Sequence, residues 1–212
     1  MNGDLLGRYI TALCNLYGVV PERKVVDIYN LHNTPKANLG DLEMSILQMS
    51  LSKHLISRKA GYFIKDYLIF EDKYLALLEL QEGKEYYIPG AEDILQYENE
   101  FYFQETREFK EFEECMVECF DLDPVTHKKL TELLMMDCQL GFDMKKILAE
   151  LSNKKLEFET LEDMNTFMKA FQKICTHSRK WQYKGHTYKE ISKKTIFNNA
   201  KEQFGRLLPS RK

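Results

Sequence analysis

The stretch LISRKAGYFIKDYLIF, residues 55–70, decides the predicted fold of the N-terminal part of the chain. Apolar and polar residues alternate along it, which is the pattern of short strands with one buried face. Ala60-Gly61 and Lys65-Asp66 supply turn-forming residues between the apolar runs. We therefore predict two or three short strands, with a hairpin turn at Ala60-Gly61.

Three helical patterns precede this hairpin. Leu5 to Tyr17 carries an apolar stripe at helical spacing, and Gly18 follows where a helix C-cap is expected. Pro21 opens a second helical pattern at a first-turn position, and residues 41–52 form a third. The order of three helices and a hairpin predicts a winged-helix-like domain over residues 1–75.

Residues 76–212 are predicted to form a helical domain with an acidic first part and a basic C-terminal part. Residues 72–120 have a helical pattern with one interruption at YYIPG, residues 86–90. Further helix starts are predicted at Asp123, Asp143 and Thr160, and a last helix around residues 196–204. The predicted fold class is mainly α with a small β-hairpin.

Composition indicates an ordinary globular chain. Its 212 residues are 44% apolar, which is enough for normal cores. No basic region followed by an apolar run opens the sequence, and no stretch approaches the roughly 20 apolar residues of a membrane span. The five cysteines form an odd set without CxxC spacing, so we expect reduced, mostly buried thiols and a cytoplasmic location.

Charge is distributed very unevenly. Residues 61–125 carry 5 basic and 18 acidic residues, whereas residues 126–212 carry 18 basic and 10 acidic ones. The two regions could attract each other within the fold, or one of them could meet a macromolecular partner. The sequence leaves both possibilities open.

A box near the C-terminus has a recognisable pattern. Arg179, Trp181, Gly185-His186-Thr187 and Glu190-Ile191 resemble an NNTRxWxxxGHTPxEL-type box of uncharacterised Firmicute and phage proteins, some of which carry a SecA-type zinc tail. Residues 16–30 and 86–103 also resemble this group. The resemblance implies an architecture and a phage or mobile-element origin, but no catalytic residue.

The sequence departs from that group in three respects. Thr176-His177-Ser178 replaces the asparagine pair and threonine, and Tyr188 replaces the proline. No cysteine follows Cys175, so we do not expect the zinc tail.

The acidic middle predicts a surface for a basic protein partner. Several carboxylates lie at helical spacing: Glu98, Glu105, Glu108, Glu111, Glu114 and Glu118. Complementary charge speeds and orients encounters with a basic groove, such as that of a nucleic-acid-processing enzyme. We therefore expect a non-enzymatic regulator, in the manner of an inhibitor that mimics nucleic acid; an ordinary solvated helix face is the simpler reading.

DNA or RNA binding is the alternative. The third helix begins with Asp41 and Glu43, which would repel phosphates, so we expect it to contact protein rather than read bases. The candidate phosphate contacts are Arg58, Lys59 and Lys65 in the wing and Lys180, Lys184, Lys189 and Lys193 among C-terminal aromatic residues.

Signs of catalysis and of metal binding are weak. The sequence has no nucleophile elbow, phosphate loop or HExxH pattern, and we predict neither enzyme activity nor a cofactor. Cys115 and Cys119 could share zinc with His127 and Cys138, but they adjoin an apolar stripe where cysteine packs as a small hydrophobe. We predict no metal site.

The C-terminal box is better explained as a structural joint than as an active site. Lys184-Gly185 is predicted to turn the chain, and Thr187 and Glu190 have the spacing of a capping box for a new helix. We expect Trp181 to fill the angle between the flanking helices and Arg179 to bond carbonyls at the end of the first.

Overall fold

The computed structural model describes residues 3–141 and 143–193, which form a mainly helical protein with a small three-stranded antiparallel sheet. The helix predicted around residues 196–204 lies outside the described residues. The α-helices are α1 (Gly3–Tyr17), α2 (Glu22–His32), α3 (Leu39–Gln48), α4 (Asp66–Ile69), α5 (Lys73–Gln81), α6 (Ala91–Ile94), α7 (Arg107–Cys119), α8 (Pro124–Leu140), α9 (Met144–Asn153) and α10 (Leu161–His177). Short 3-10 turns lie at Leu51–His54, Phe70–Asp72, Leu95–Glu98 and Trp181–Tyr183, and residues 188–193 are helical.

The sheet contains the predicted hairpin and one strand that we did not predict. Strands β2 (Ile56–Lys59) and β3 (Tyr62–Lys65) pair antiparallel across the turn, where Ala60 and Gly61 have φ angles of 52° and 80°. β1 (Val19–Pro21) pairs with the other edge of β3. Three residues are too few to show alternation, so the sequence pattern did not reveal β1. The pattern also allowed a third strand after Lys65. That prediction is wrong, because α4 begins at Asp66.

Local signals place the first three helices well. α1 ends at Tyr17, and Gly18 just beyond it has a φ of 74° and donates its N–H to the carbonyl of Cys14. α3 starts two residues before its predicted start, since Asn38 and Asp41 form a reciprocal capping box.

Residues 72–120 contain more breaks than we predicted. α5 ends at Gln81, and Gly83 has a φ of +69° just beyond it. A second break covers residues 99–106, where Asn99 accepts a hydrogen bond from the N–H of Phe101. The prediction of one interruption was therefore wrong. Asparagine and glycine stabilise such turns locally, which explains why the helical pattern breaks at both places.

Residues 3–141 and 143–193 form two large cores and a smaller one. The first core contains the apolar faces of α1 to α3 together with Ile94 and Tyr97, and the second lies among α7 to α10. The small core joins β1, β3, α4 and α5 to Trp181. The domain boundary at residue 75 stays a prediction.

The cysteines correct one expectation. Cys138 of α8 and Cys175 of α10 form a disulfide, with their sulfur atoms 2.06 Å apart, whereas Cys14, Cys115 and Cys119 are free. The prediction of free thiols throughout was therefore wrong for this pair. The sequence could not reveal this pair, because Cys138 and Cys175 are 37 positions apart and only tertiary packing brings them together.

Across residues 3–141 and 143–193, no helix combines the length and the apolar character that a membrane crossing needs.

Candidate functional site

An acidic groove lies between the loop after α6 and the faces of α7 and α8. Its volume is about 670 Å³, which is within the range of ligand sites. The loop contributes Gln96, Asn99, Phe101, Tyr102, Phe103 and Glu105, α7 contributes Phe109 and Glu113, and α8 contributes His127, Lys128, Thr131 and Glu132. We call this set the acidic groove.

Three polar residues position the walls of the groove. The Asn99 turn directs the chain into the aromatic run that begins at Phe101. Thr106 caps α7 by accepting from the N–H of Phe109, and Asp123 caps α8 by accepting from the N–H groups of Val125 and Thr126. Each cap replaces a hydrogen bond that the first turn of a helix lacks, so both helical walls start at defined points.

The carboxylates of the groove differ in how far they are neutralised. Glu132 lies 3.9 Å from the ammonium of Lys128, whose side chain is 78% exposed. Glu105 and Glu113 have no ion-pair partner among the described residues. The groove therefore carries uncompensated negative charge beside aromatic side chains.

Two polar atoms of α8 are buried without a partner. Thr131 is only 5% exposed, and neither its hydroxyl oxygen nor Nε2 of His127 has a hydrogen-bond partner within the described chain. Leaving such a group unpaired typically costs about 1–3 kcal/mol. Both residues belong to the lining of the groove, but these two atoms themselves are closed to solvent.

The six predicted acidic residues fall into two classes. Glu98 pairs with Arg8, Glu108 lies 3.4 Å from His177, and Glu111 pairs with Arg107 and Lys173. The bonds from Lys173 and Arg107 hold the pKa of Glu111 below its usual value. The contacts of Glu108 with His177 and of Glu111 with Lys173 join part of the acidic region to the basic α10 within the fold.

Glu105, Glu114 and Glu118 are exposed and have no ion-pair partner in the described part of the chain. Of these three residues, only Glu105 lines the groove.

Two of the predicted phosphate contacts are buried. Lys65 is 2% exposed and donates to the Asn15 side-chain oxygen and to Glu100. Lys180 is 5% exposed and donates to the carbonyl of Cys138. The prediction that Lys65 and Lys180 contact phosphates is therefore wrong, since a buried ammonium cannot reach a phosphate.

The other predicted cations stay at the surface with varied partners. Arg58 bonds the carboxylates of Glu22 and Glu43, and Lys59 bonds Asp72 at 2.8 Å. The remaining side chains are Lys184, which donates to the carbonyl of Lys84, and the exposed Lys189 and Lys193. The two cations of the β2–β3 hairpin, Arg58 and Lys59, thus already have acidic neighbours.

The C-terminal box is a joint, as predicted, but it joins different parts of the chain. Trp181 is 4% exposed, donates from its indole nitrogen to the carbonyl of Asn15 at 2.9 Å, and stacks on Tyr67. It packs against the end of α1 and the sheet rather than in the angle between its flanking helices. Lys184 and Gly185 make the predicted turn, with φ angles of 49° and 81°.

Thr187 and Glu190 form the predicted capping box. The hydroxyl of Thr187 accepts from the N–H of Glu190, and the carboxylate of Glu190 accepts from the N–H of Thr187. Arg179 bonds this carboxylate at 2.7 Å instead of carbonyls at the end of α10, and it lies over the Tyr87 ring. Burial by itself raises the pKa of Glu190, but the Thr187 N–H and Arg179 outweigh it and hold the pKa below its usual value.

The three stretches of the resemblance contact one another. The Tyr17 ring lies 4.8 Å from that of Tyr86, and the N–H of Tyr87 donates to the carbonyl of Lys184. A side chain at Gly185 would meet Tyr17, since an added Cβ would lie 2.9 Å from its ring. Packing around the end of α1 is therefore a sufficient role for these residues.

No protein-family model, curated protein or solved structure matches this chain.

Sequence reasoning found Glu105 but missed most of the groove. Glu132 and Thr131 lie in residues 126–212, which have an excess of basic residues. Glu113 is not one of the helically spaced carboxylates that were predicted to bind the partner. The run Phe101-Tyr102-Phe103 between an Asn turn and the Thr106 cap was the available signal, because aromatic residues in a loop often mark a binding surface.

Proposed function

We propose that this chain is a non-enzymatic regulatory binding protein whose acidic groove contacts a basic segment of a nucleic-acid-processing protein. The observation that supports this most is the groove itself, where Glu105 and Glu113 lie without ion-pair partners beside Phe101 and Phe109 in the described structure. Such a site attracts cations by charge and holds their apolar stems by contact.

A winged-helix-like arrangement of residues 1–75 belongs to the same proposal. In favour of it, β1 comes between α1 and α2 and pairs with β3 beside the hairpin. The outer face of α3 exposes Met44 and Leu47, at 56% and 78%, next to Glu43. An apolar and acidic face suits protein contact better than entry into the major groove, which needs cations and base-edge donors.

Titration with a defined basic peptide tests the binding function. The probe is a protamine-like peptide, measured by isothermal titration calorimetry at low and at moderate salt. We expect the double variant Glu105→Gln, Glu113→Gln to bind about tenfold or more weakly, because each lost charge pair in such a site removes about 1 kcal/mol or more.

Glu114→Gln with Glu118→Gln is the matched control, since it removes the same charge from exposed positions of α7 that do not line the groove. If both double variants weaken peptide binding equally, the effect comes from net charge alone and the proposal is wrong.

Nucleic-acid binding is the weaker proposal. It depends mainly on the exposed Lys189 and Lys193. Of the other candidates among the described residues, Lys65 and Lys180 are buried, Arg58 and Lys59 already bond carboxylates, and Lys184 donates to the carbonyl of Lys84. A mobility shift at micromolar protein that disappears in Lys189→Gln, Lys193→Gln would favour it over the groove.

A further inference from the structure

We propose that Cys115 and Cys119 form a dithiol site, which binds a monosubstituted trivalent arsenical through both sulfurs. The two residues lie one turn apart on α7, both thiols are free, and their sulfur atoms are 3.8 Å apart. Neither residue lines the acidic groove, so this inference goes beyond the proposed function and does not depend on it.

The spacing of the two cysteines suits a bridging atom better than a direct S–S bond. Side chains one helical turn apart have Cβ atoms about 5–6 Å apart, whereas a disulfide needs Cβ atoms about 3.5–4.5 Å apart. Oxidation of the pair would therefore distort the end of α7, of which Cys119 is the last residue. An atom bonded to both sulfurs keeps them apart, so it can bind while the helix stays intact.

The number of available ligands selects among the species that bind thiols. Zinc takes four ligands, and residues 3–141 and 143–193 contain no group of three or more His, Cys, Asp or Glu side chains that could hold a metal ion. Cys138 is joined to Cys175 and cannot contribute a thiolate. A monosubstituted trivalent arsenical needs only two sulfurs, because its remaining bond is already made to carbon.

Charge favours the same ligand. Burial raises the pKa of the Cys115 thiol, and it raises the pKa of Cys119 to about 12. A divalent metal needs both groups as thiolates. With the arsenical R–As(OH)2, two As–O bonds break and two As–S bonds form, while each thiol proton leaves with a hydroxyl as water. No electron is transferred, and the uncharged product suits the apolar side chains of Met116 and Phe120 in the same core.

Cys119 provides the entry to the site. It is half-buried, whereas Cys115 is only 6% exposed. The Cys119 thiol lies 3.9 Å from the carbonyl oxygen of Asp163 in the first turn of α10. Once the Cys119 sulfur has bonded, the second bond forms within one molecule, where the effective concentration of the Cys115 thiol is high.

Phenylarsine oxide is the probe, added to the full chain without reductant so that the disulfide is retained. We expect intact mass spectrometry to show one arsenical per chain, and titration after denaturation to find two of the three free thiols blocked. Excess 2-mercaptoethanol should leave the adduct in place, whereas the dithiol 2,3-dimercaptopropanol should remove it, because only a dithiol offers two sulfurs together.

Single variants locate the site. Cys115→Ser and Cys119→Ser each leave one sulfur, and we expect each to weaken binding by about 100-fold or more. Cys14→Ser is the control, since Cys14 is a fully buried free thiol in a different core and should not contribute. Digestion of the wild-type adduct gives a reading that does not depend on how the variants fold, because the arsenical should remain on residues 111–128, which contain both cysteines.

Three outcomes would overturn the inference. The first is the absence of an adduct on the folded wild-type chain at equimolar phenylarsine oxide. The second is an adduct that either serine variant retains with unchanged affinity. The third is the loss of both thiols without a gain of arsenical mass, which would mean that Cys115 and Cys119 join directly.

Discussion

Trp181 joins the last part of the described chain to its first helix. Its indole N–H bonds the carbonyl of Asn15, its ring stacks on Tyr67, and the side chain of Gln81 donates to its carbonyl. The ring also lies against Gly18, which leaves no room for a side chain there. Single contacts of this kind, far apart in sequence, fix how the C-terminal box sits on α1.

Gly18→Ala should be strongly destabilising. An added Cβ would lie 2.3 Å from Trp181, and the residue has a φ of +74°. The left-handed backbone costs an alanine about 1–2 kcal/mol, and displacing the indole raises the expected loss to about 3 kcal/mol. Urea unfolding measures this loss.

Gly61→Ala is the control, because Gly61 has a φ of +80° but no atom within 4 Å of an added Cβ. Equal losses at both glycines would show that Trp181 does not pack on Gly18.

Lys180 should make stability depend on pH. Burial lowers the pKa of its ammonium from 10.5 to about 8. Above about pH 8 the unfolded chain therefore binds more protons than the folded one, and stability increases as the pH rises toward the ordinary pKa.

Comparison with Lys180→Met isolates this effect from other groups that titrate in the same range. We expect the stability of the wild type relative to the variant to rise by about 2 kcal/mol between about pH 7 and about pH 9.5, measured by urea unfolding. A constant difference over that range would mean that the ammonium is not desolvated.

At the scale of elements, the helix N-termini were the most predictable features. Asp123, Asp143, Thr160 and Thr187 all accept backbone N–H groups at their predicted positions, because capping depends on residues that are neighbours in sequence. The hairpin was predictable for the same reason. The strand β1 and the breaks near Gly83 and Asn99 were not, since short segments show little periodicity.

Thr187→Ala should cost about 1 kcal/mol of stability, because it removes the acceptor for the N–H of Glu190. Thr187→Ser keeps the hydroxyl and should restore most of the loss in thermal unfolding. If serine and alanine destabilise equally, methyl packing rather than capping explains the role of Thr187.

At the scale of the whole molecule, burial and pairing decide what the sequence could not. Lys65 and Lys180 looked like surface cations, yet packing buries both of them. Glu108 and Glu111 contact α10, while Glu105 of the loop before α7 lines the groove with Glu132 of α8. The acidic character of the site was thus predictable from local composition, but its members depended on how α7 and α8 meet.

The cysteine pairing gives a prediction at this scale. Alkylation under denaturing, non-reducing conditions should modify Cys14, Cys115 and Cys119 only, since Cys138 and Cys175 are joined. Mass spectrometry after digestion identifies the modified sites. Modification of all five cysteines in freshly prepared protein would show that the disulfide is absent.

The central claim is that basic protein segments bind in the acidic groove. Amide chemical-shift mapping by NMR with an arginine-containing peptide tests it most directly. We predict that the largest shifts fall in residues 99–113 and 127–132, which include the groove walls, and that Glu105→Gln, Glu113→Gln needs about tenfold or more peptide to produce them. Shifts centred on residues 188–193 and the β2–β3 hairpin, or spread evenly over the surface, would contradict the claim.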